Sequence, residues 1–323
     1  MLGKKSMLAM VVGATIAMSG AVQATTLKLS HNMDTSFPVH KAMKFMAERA
    51  KELSGGDLKI RIYPNGQLGS QRESLELIQN GALDMAKSNA AELEAFAKAY
   101  GAFNLPYLFD DQDHYYRALE SDIGKQILQS SEANGFVGIT YYDAGARSFY
   151  AKKAINSPAD IKGMKVRVQP SPTAVEMIKL LGGHPTPLAF GELYTALQQG
   201  VVDAAENNLP SMTMNRHSEV TKFFSMDEHT MIPDVLVISA KVWKELPEHE
   251  RNALSQAAAE SMQEMRKLWA ESEIAERESA EKQGVEFVTV DKVPFQQAVA
   301  PMYDTLKQED PELYQLVDGL RNL

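Results

Sequence analysis

Cysteine is absent from this chain, which excludes disulfides, thiolate metal sites and a cysteine nucleophile. Histidine is sparse, seven residues in 323, and no two stand at metal-ligand spacing, so no metal and no cofactor is expected. Common catalytic signatures are missing too: the chain holds no H-E-x-x-H, G-x-S-x-G, phosphate-binding loop or G-x-G-x-x-G,. The one S-x-x-K match, Ser279 to Lys282, falls in a charge-rich helical stretch and reads as a chance spacing. His229 in DEHT and His249 in PEHER have acidic neighbours; a solvated loop or a helix end accounts for both. No catalytic set emerges, and the chain is not expected to be an enzyme. Basic residues are the minority, 33 against 42 acids, which argues against nucleic acid or anionic membrane surfaces as partners.

What is present begins at the N-terminus. Lys4 and Lys5 precede an uncharged apolar run from Met7 to Met18, and Val22-Gln23-Ala24 supplies small residues for cleavage. This is a secretory signal peptide, residues 1–24, too short to serve as a spanning helix. Removing it takes two lysines and no acid, so the formal charge of -9 becomes -11. The expected location is periplasmic. With no disulfides, the mature chain must rely on a large apolar core, which about 300 residues can build as two domains.

The mature chain alternates strand and helix patterns. Leu27 and Leu29 alternate with polar residues, a helix is predicted from about Val39 to Leu53, and "LKIRIY" (Leu58–Tyr63) is a strand,. Gln71–Asn80 is a helix and Leu83–Ala86 a short strand. The pattern recurs with strands at Phe136–Tyr142, Ser148–Lys152, Val166–Val168, Val201–Glu206 and Asp234–Ser239, and helices at Thr173–Leu181 and Phe190–Gln199. From Pro247 to about Gln283 runs one helix of unusual length, long enough to brace two domains,. The predicted fold is α/β, with a ligand cleft between two lobes.

Anion-binding chemistry collects in the second half of this pattern. In "GMKVRVQPSPTA" strand alternation places Lys165, Arg167 and Gln169 on one face, opposite Val166 and Val168,. Taken alone, Arg167 is either a solvated charge on an edge strand or a side chain aimed into a site. Arg147 follows a strand and a glycine turn, and Asn207 ends a third strand. Two arginines able to fork onto a carboxylate, with an amide beside them, would recognise an acid.

Four blocks carry a resemblance across nearly the whole mature chain: Tyr63–Met85, Asp160–Pro172, Gly182–Asn208 and Lys222–Thr230. Their residues and spacing resemble the DctP-type solute-binding proteins of tripartite ATP-independent periplasmic (TRAP) transporters. The resemblance implies a two-lobed periplasmic binding protein fold with a long bracing C-terminal helix. Lobe I would comprise residues 25–145 with a return segment at 230–265, and lobe II residues 146–229 with the C-terminal segment 266–323. It further implies a binding protein that hands an organic acid to integral-membrane TRAP permease subunits; some family members dimerise, and a monomer is expected here. Arg167 becomes the carboxylate partner, Arg147 a second contact and Asn207 a third. His31 and Asn32, Glu73, and Ser88 and Asn89 would approach the ligand from lobe I.

Glu73, an acceptor only, would require ligand hydroxyls and repel a second carboxylate, while Asn32, Asn89 and Asn207 suit a polyol. This set favours a sugar acid, foremost a hexuronate such as glucuronate or galacturonate. Aldonates and C4-dicarboxylates are the alternatives within the family. A periplasmic enzyme acting on sugar acids and a ligand sensor docking on a receptor are the alternatives outside it.

Overall fold

The computed structural model describes residues 24–323; the expected signal peptide, apart from Ala24, lies outside them. Two sheets define two lobes. The first has five strands in the order β2-β1-β3-β10-β4: β1 Thr25–Ser30, β2 Leu58–Tyr63, β3 Met85–Asn89, β4 Phe136–Tyr142 and β10 Asp234–Ser239. Strands β1, β2 and β3 run parallel, and β10 is antiparallel to both its neighbours. The second has six in the order β11-β9-β5-β8-β6-β7: β5 Arg147–Ala151, β6 Lys165–Val168, β7 His184–Pro187, β8 Ala204–Asn207, β9 Phe223–Thr230 and β11 Glu286–Thr289. The strands predicted at Leu58–Tyr63, Phe136–Tyr142 and Asp234–Ser239 have those bounds.

The chain passes between lobes from β4 to β5, returns from β9 to β10, and crosses again in the helix Glu248–Lys282. That helix has 35 residues and at 1.5 Å per residue spans about 52 Å. Leu254, Ala257, Ala258, Met265 and Trp269 enter the core of the first lobe together with Ala42, Met43, Met46 and Ala50 from the helix Pro38–Leu53. Ala280, near its far end, enters the core of the second lobe. Small alanines at this seam let two helix backbones approach closely, and Arg49 adds a fork onto Glu260 at 2.6 and 3.2 Å. One rod is therefore rooted in both lobes, as the sequence predicts.

The C-terminal segment departs from expectation. Residues 286–299 belong with the second lobe, where β11 pairs with β9 and Phe295 lies 6.4 Å from Phe149. The helices Pro301–Glu309 and Pro311–Arg321 rest instead on the first lobe. Tyr303 donates to the Pro106 carbonyl at 2.9 Å, and His114 Nε2 lies 2.9 Å from the Leu320 carbonyl. A boundary drawn along the sequence could not see this return, because the amphipathic faces of those helices fit either lobe.

Candidate functional site

Between the lobes, at the ends of the central strands, lies a narrow, polar cleft. The second lobe supplies Arg147, Gln169, Phe190, Asn207, Asn208 and Ser211; the first supplies Asn32, Gln71, Lys87, Asn89 and Asp234, with Trp269 from the long helix.

Arg167 is 0 % exposed, so the strand face it shares with Gln169 is an interior one and the solvated-edge reading is excluded. β6 lies between β7 and β8, which explains its burial. Its Nε and Nη2 donate to the Leu188 carbonyl at 3.0 and 2.7 Å, and its guanidinium sits 5.7 Å from the Phe190 ring centre. Nη1 is buried and has no protein acceptor. Burial lowers the pKa of this group, opposed by Glu206; an unmet donor on a desolvated cation calls for an anion.

Arg147 is arranged differently. Its fork is already filled: Nε donates to Glu206 Oε2 at 2.6 Å and Nη2 to Glu206 Oε1 at 2.9 Å. Its Nη1 donates to Asn207 Oδ1 at 2.8 Å, and the Asn208 backbone N–H donates to that same oxygen at 2.9 Å. The Asn207 amide oxygen is thereby occupied, leaving its NH₂ as a donor in the cleft wall. Two arginines forking onto one ligand carboxylate is thus corrected: Arg147 neutralises Glu206 and orients Asn207.

Glu206 extends into a buried relay that the sequence reading missed. His229, 1 % exposed, stands between Asp227 Oδ2 at 2.9 Å and Glu206 Oε2 at 3.3 Å. The solvated-loop reading of His229 is corrected: it lies on β9, whose polar residues satisfy one another inside the sheet. His249 behaves as a helix end, exposed beside Asp57 at 3.2 Å. For His229, burial would lower the pKa, but Asp227 and Glu206 raise it to about 9. Burial would raise Glu206, but Arg147 and His229 hold it at about 2.

The signs of these shifts fix a pH window. Glu206, depressed from 4.5, stabilises the fold above that pH and loses the contribution as pH falls through about 2,. His229, raised from 6.5 to about 9, stabilises fully below 6.5 and loses its contribution as pH rises through 9, a term of ~3 kcal/mol. Between pH 6 and 9.5 the melting temperature is expected to fall further in the native protein than in His229→Gln; parallel profiles would contradict a protonated His229.

On the first lobe, β3 alternation sorts the expected residues. Asn89 and Lys87 face the cleft,. Ser88 is buried outside the cleft lining, its hydroxyl without a partner, so the expectation for Ser88 fails on the period of the strand. The same alternation could have revealed Lys87, which pairs with Asp234 Oδ1 at 3.0 Å. Asn89 donates to that oxygen at 3.3 Å and accepts from Gln169 across the cleft at 3.1 Å. Asn32 reaches the cleft with Oδ1 buried and unpartnered.

His31 does not line it. Its Nδ1 accepts from the Met33 N–H at 3.2 Å, so Nε2 carries the proton toward His40 Nδ1 at 3.0 Å. Burial, reinforced by Lys87 and His40, lowers its pKa to about 3, and this neutral ring pegs the loop that carries Asn32. Glu73 is exposed at the outer mouth, where Oε2 accepts from the Ser70 N–H at 2.7 Å in a capping box. Gly69, at φ +102°, is the residue that lets that carboxylate fold back, since a Cβ there would meet Oε2 at 2.7 Å. Asp234 is the carboxylate that lines the cleft, and its Oδ2 has no hydrogen bond among the described residues.

Two α/β lobes hinged at two strand crossings, braced by one helix and enclosing a polar cleft with a buried, unmet cation beside it, define a two-lobed solute-binding protein. The family model of bacterial extracellular solute-binding proteins, family 7 (DctP), matches residues 29–310, and the chain belongs to that family, the periplasmic solute-binding proteins of TRAP transporters. The uncharacterized protein YiiZ of Salmonella typhimurium is 40% identical over 300 residues, covering 92% of this chain and 91% of that one. A TRAP solute-binding protein of a Bradyrhizobium species, solved with galacturonate, is 41% identical with a TM-score of 0.90, covering 93% and 100% of the two chains. Another from Anaerococcus prevotii, with bound glucuronate, is 38% identical with a TM-score of 0.90, covering 92% and 97%. Among the described residues no helix is long and apolar enough to cross a membrane.

Proposed function

We propose that this protein captures a hexuronate, glucuronate or galacturonate, in the periplasm and delivers it to a TRAP permease. The observation that carries the reading is the buried, unmet Nη1 of Arg167. Lys87 and Arg147 are each committed to an internal carboxylate, so one cation is left to meet one ligand carboxylate. A C4-dicarboxylate wants a cation at each end, which this cleft lacks. The remaining wall is amide and hydroxyl, with Asn32, Gln71, Asn89, Asn207 and Ser211 able to pair with a ring of hydroxyls,, and Asp234 takes the acceptor role expected of Glu73. The hexuronates bound in the Bradyrhizobium and Anaerococcus proteins support the same class.

The test is a thermal-shift series with glucuronate, galacturonate, gluconate, succinate, pyruvate and sialic acid. Binding at a hundredfold excess over Kd stabilises by about 2.7 kcal/mol, and a hexuronate is expected to give the largest shift. A shift with succinate alone would overturn the assignment.

A further inference from the structure

The cleft does not end at the acid-binding groups. Beyond Asn32, Gln71 and Phe190, which line both spaces, opens a mouth chamber of about 750 Å³. Four acids stand around it: Glu73, Glu76, Glu92 and Glu192. Three are spoken for. Glu73 accepts from the Ser70 N–H, Glu76 from Arg72 Nε at 3.0 Å and Glu192 from the Ala189 N–H at 3.2 Å. Glu92, only 5 % exposed, has no hydrogen-bond partner among the described residues. Burial pushes its carboxyl pKa up, against the pull of Arg167, Lys87 and Arg72.

Two further acceptors stand where the chamber meets the cleft. Gln71 is 7 % exposed with Oε1 buried and unpartnered, and Asn32 Oδ1 is in the same condition. Buried acceptors without donors are costly, and these two, with the unpartnered Glu92 carboxylate near them, ask for a donor-bearing group. A second carboxylate would bring only more acceptors and would stand among four acids with one lining arginine, Arg72, whose Nε is held by Glu76. Phe190 offers an apolar face at the junction, suited to the C–H side of a sugar ring.

We propose that this chamber is a second subsite, taking a neutral glycosyl group attached to the hexuronate. The ligands then include disaccharides in which a hexuronate is joined to an uncharged hexose, with Glu92 as the specificity-determining acceptor. The proposal rests on the hexuronate reading and extends it outward through the mouth.

Calorimetry on the mature protein tests it with three probes: glucuronate, an aldobiouronate (hexuronate linked to neutral hexose) and digalacturonate. The aldobiouronate is expected to bind within about tenfold of glucuronate. Digalacturonate is expected to bind at least about tenfold more weakly than the aldobiouronate, because its second charge meets Glu92. Glu92→Gln keeps the shape, removes the charge and is expected to close most of the gap between the two disaccharides. Glucuronate binding without aldobiouronate binding would overturn this proposal alone, as would a gap that Glu92→Gln leaves unchanged. Failure of glucuronate itself would bring down the hexuronate reading and this extension with it.

Discussion

Arg167→Ala is expected to lose hexuronate binding by a factor of roughly thirty to several thousand. Removing one member of a desolvated, hydrogen-bonded charge pair costs about 2–5 kcal/mol, and each 1.4 kcal/mol is about tenfold in Kd. The structure favours the upper part of that range. Arg167 is fully buried, and two of its nitrogens are anchored on the Leu188 carbonyl, so Nη1 is presented in a fixed place. A ligand carboxylate left without it would have no second uncommitted arginine, since Arg147 is bound to Glu206. Because the truncation also opens a cavity, Arg167→Lys serves as a companion: it keeps the charge and loses the fork, and should fall between native and alanine. Titration calorimetry, with circular dichroism to check folding, decides the matter. Folded Arg167→Ala binding within threefold of native would sink the assignment.

Glu206→Ala is expected to damage stability more than any other single change in the cleft wall. Glu206 is 2 % exposed and accepts from Arg147 through both oxygens and from His229 through one. Its loss strands a guanidinium and an imidazolium in the interior, and breaking a buried pair from one side costs about 3–5 kcal/mol. His229 would then keep Asp227 alone as counter-charge, and its pKa should fall from about 9 toward the ordinary range. Arg147 would also cease to fix Asn207, so ligand affinity should drop along with the urea midpoint. A midpoint unchanged from native would show that the relay contributes nothing to the fold. Glu206→Gln, which preserves volume and part of the hydrogen bonding, should lie between the two.

Much of this fold could be read from the chain because its local signals agree with its tertiary outcome. Strands such as Asp234–Ser239 are continuous apolar runs buried on both faces, and helices end where a Gly follows, as at Gly200 with φ +72°. The stretch Phe223–Thr230 was opaque for the opposite reason. Its Asp227 and His229 look like surface residues, and only their mutual pairing, together with Glu206 from another strand, lets them lie inside a sheet. The site divides along similar lines. Arg167, Arg147, Asn207, Asn89 and Asn32 stand at strand ends that the sequence marks, and the structure gathers them around one cleft, Arg167 buried beside it. Glu73 carried two compatible meanings, ligand acceptor and helix cap, and the distance to its own Ser70 N–H decided for the cap. Lys87 and Asp234 cancel each other across neighbouring strands, and Trp269 comes from a charge-rich helix; no local pattern announces such partners.

The long helix carries a consequence of another kind. Trp269 is seated in one lobe and Ala280 in the other, and the stretch between them works as a gauge. Adding a single residue there would turn everything beyond it by about 100° and advance it by 1.5 Å, swinging Ala280 out of its socket. Side chains along the exposed face can drift freely, but an insertion or deletion anywhere in that interval would spoil the alignment of the lobes. The distance at which the two halves face each other is written as a count of residues.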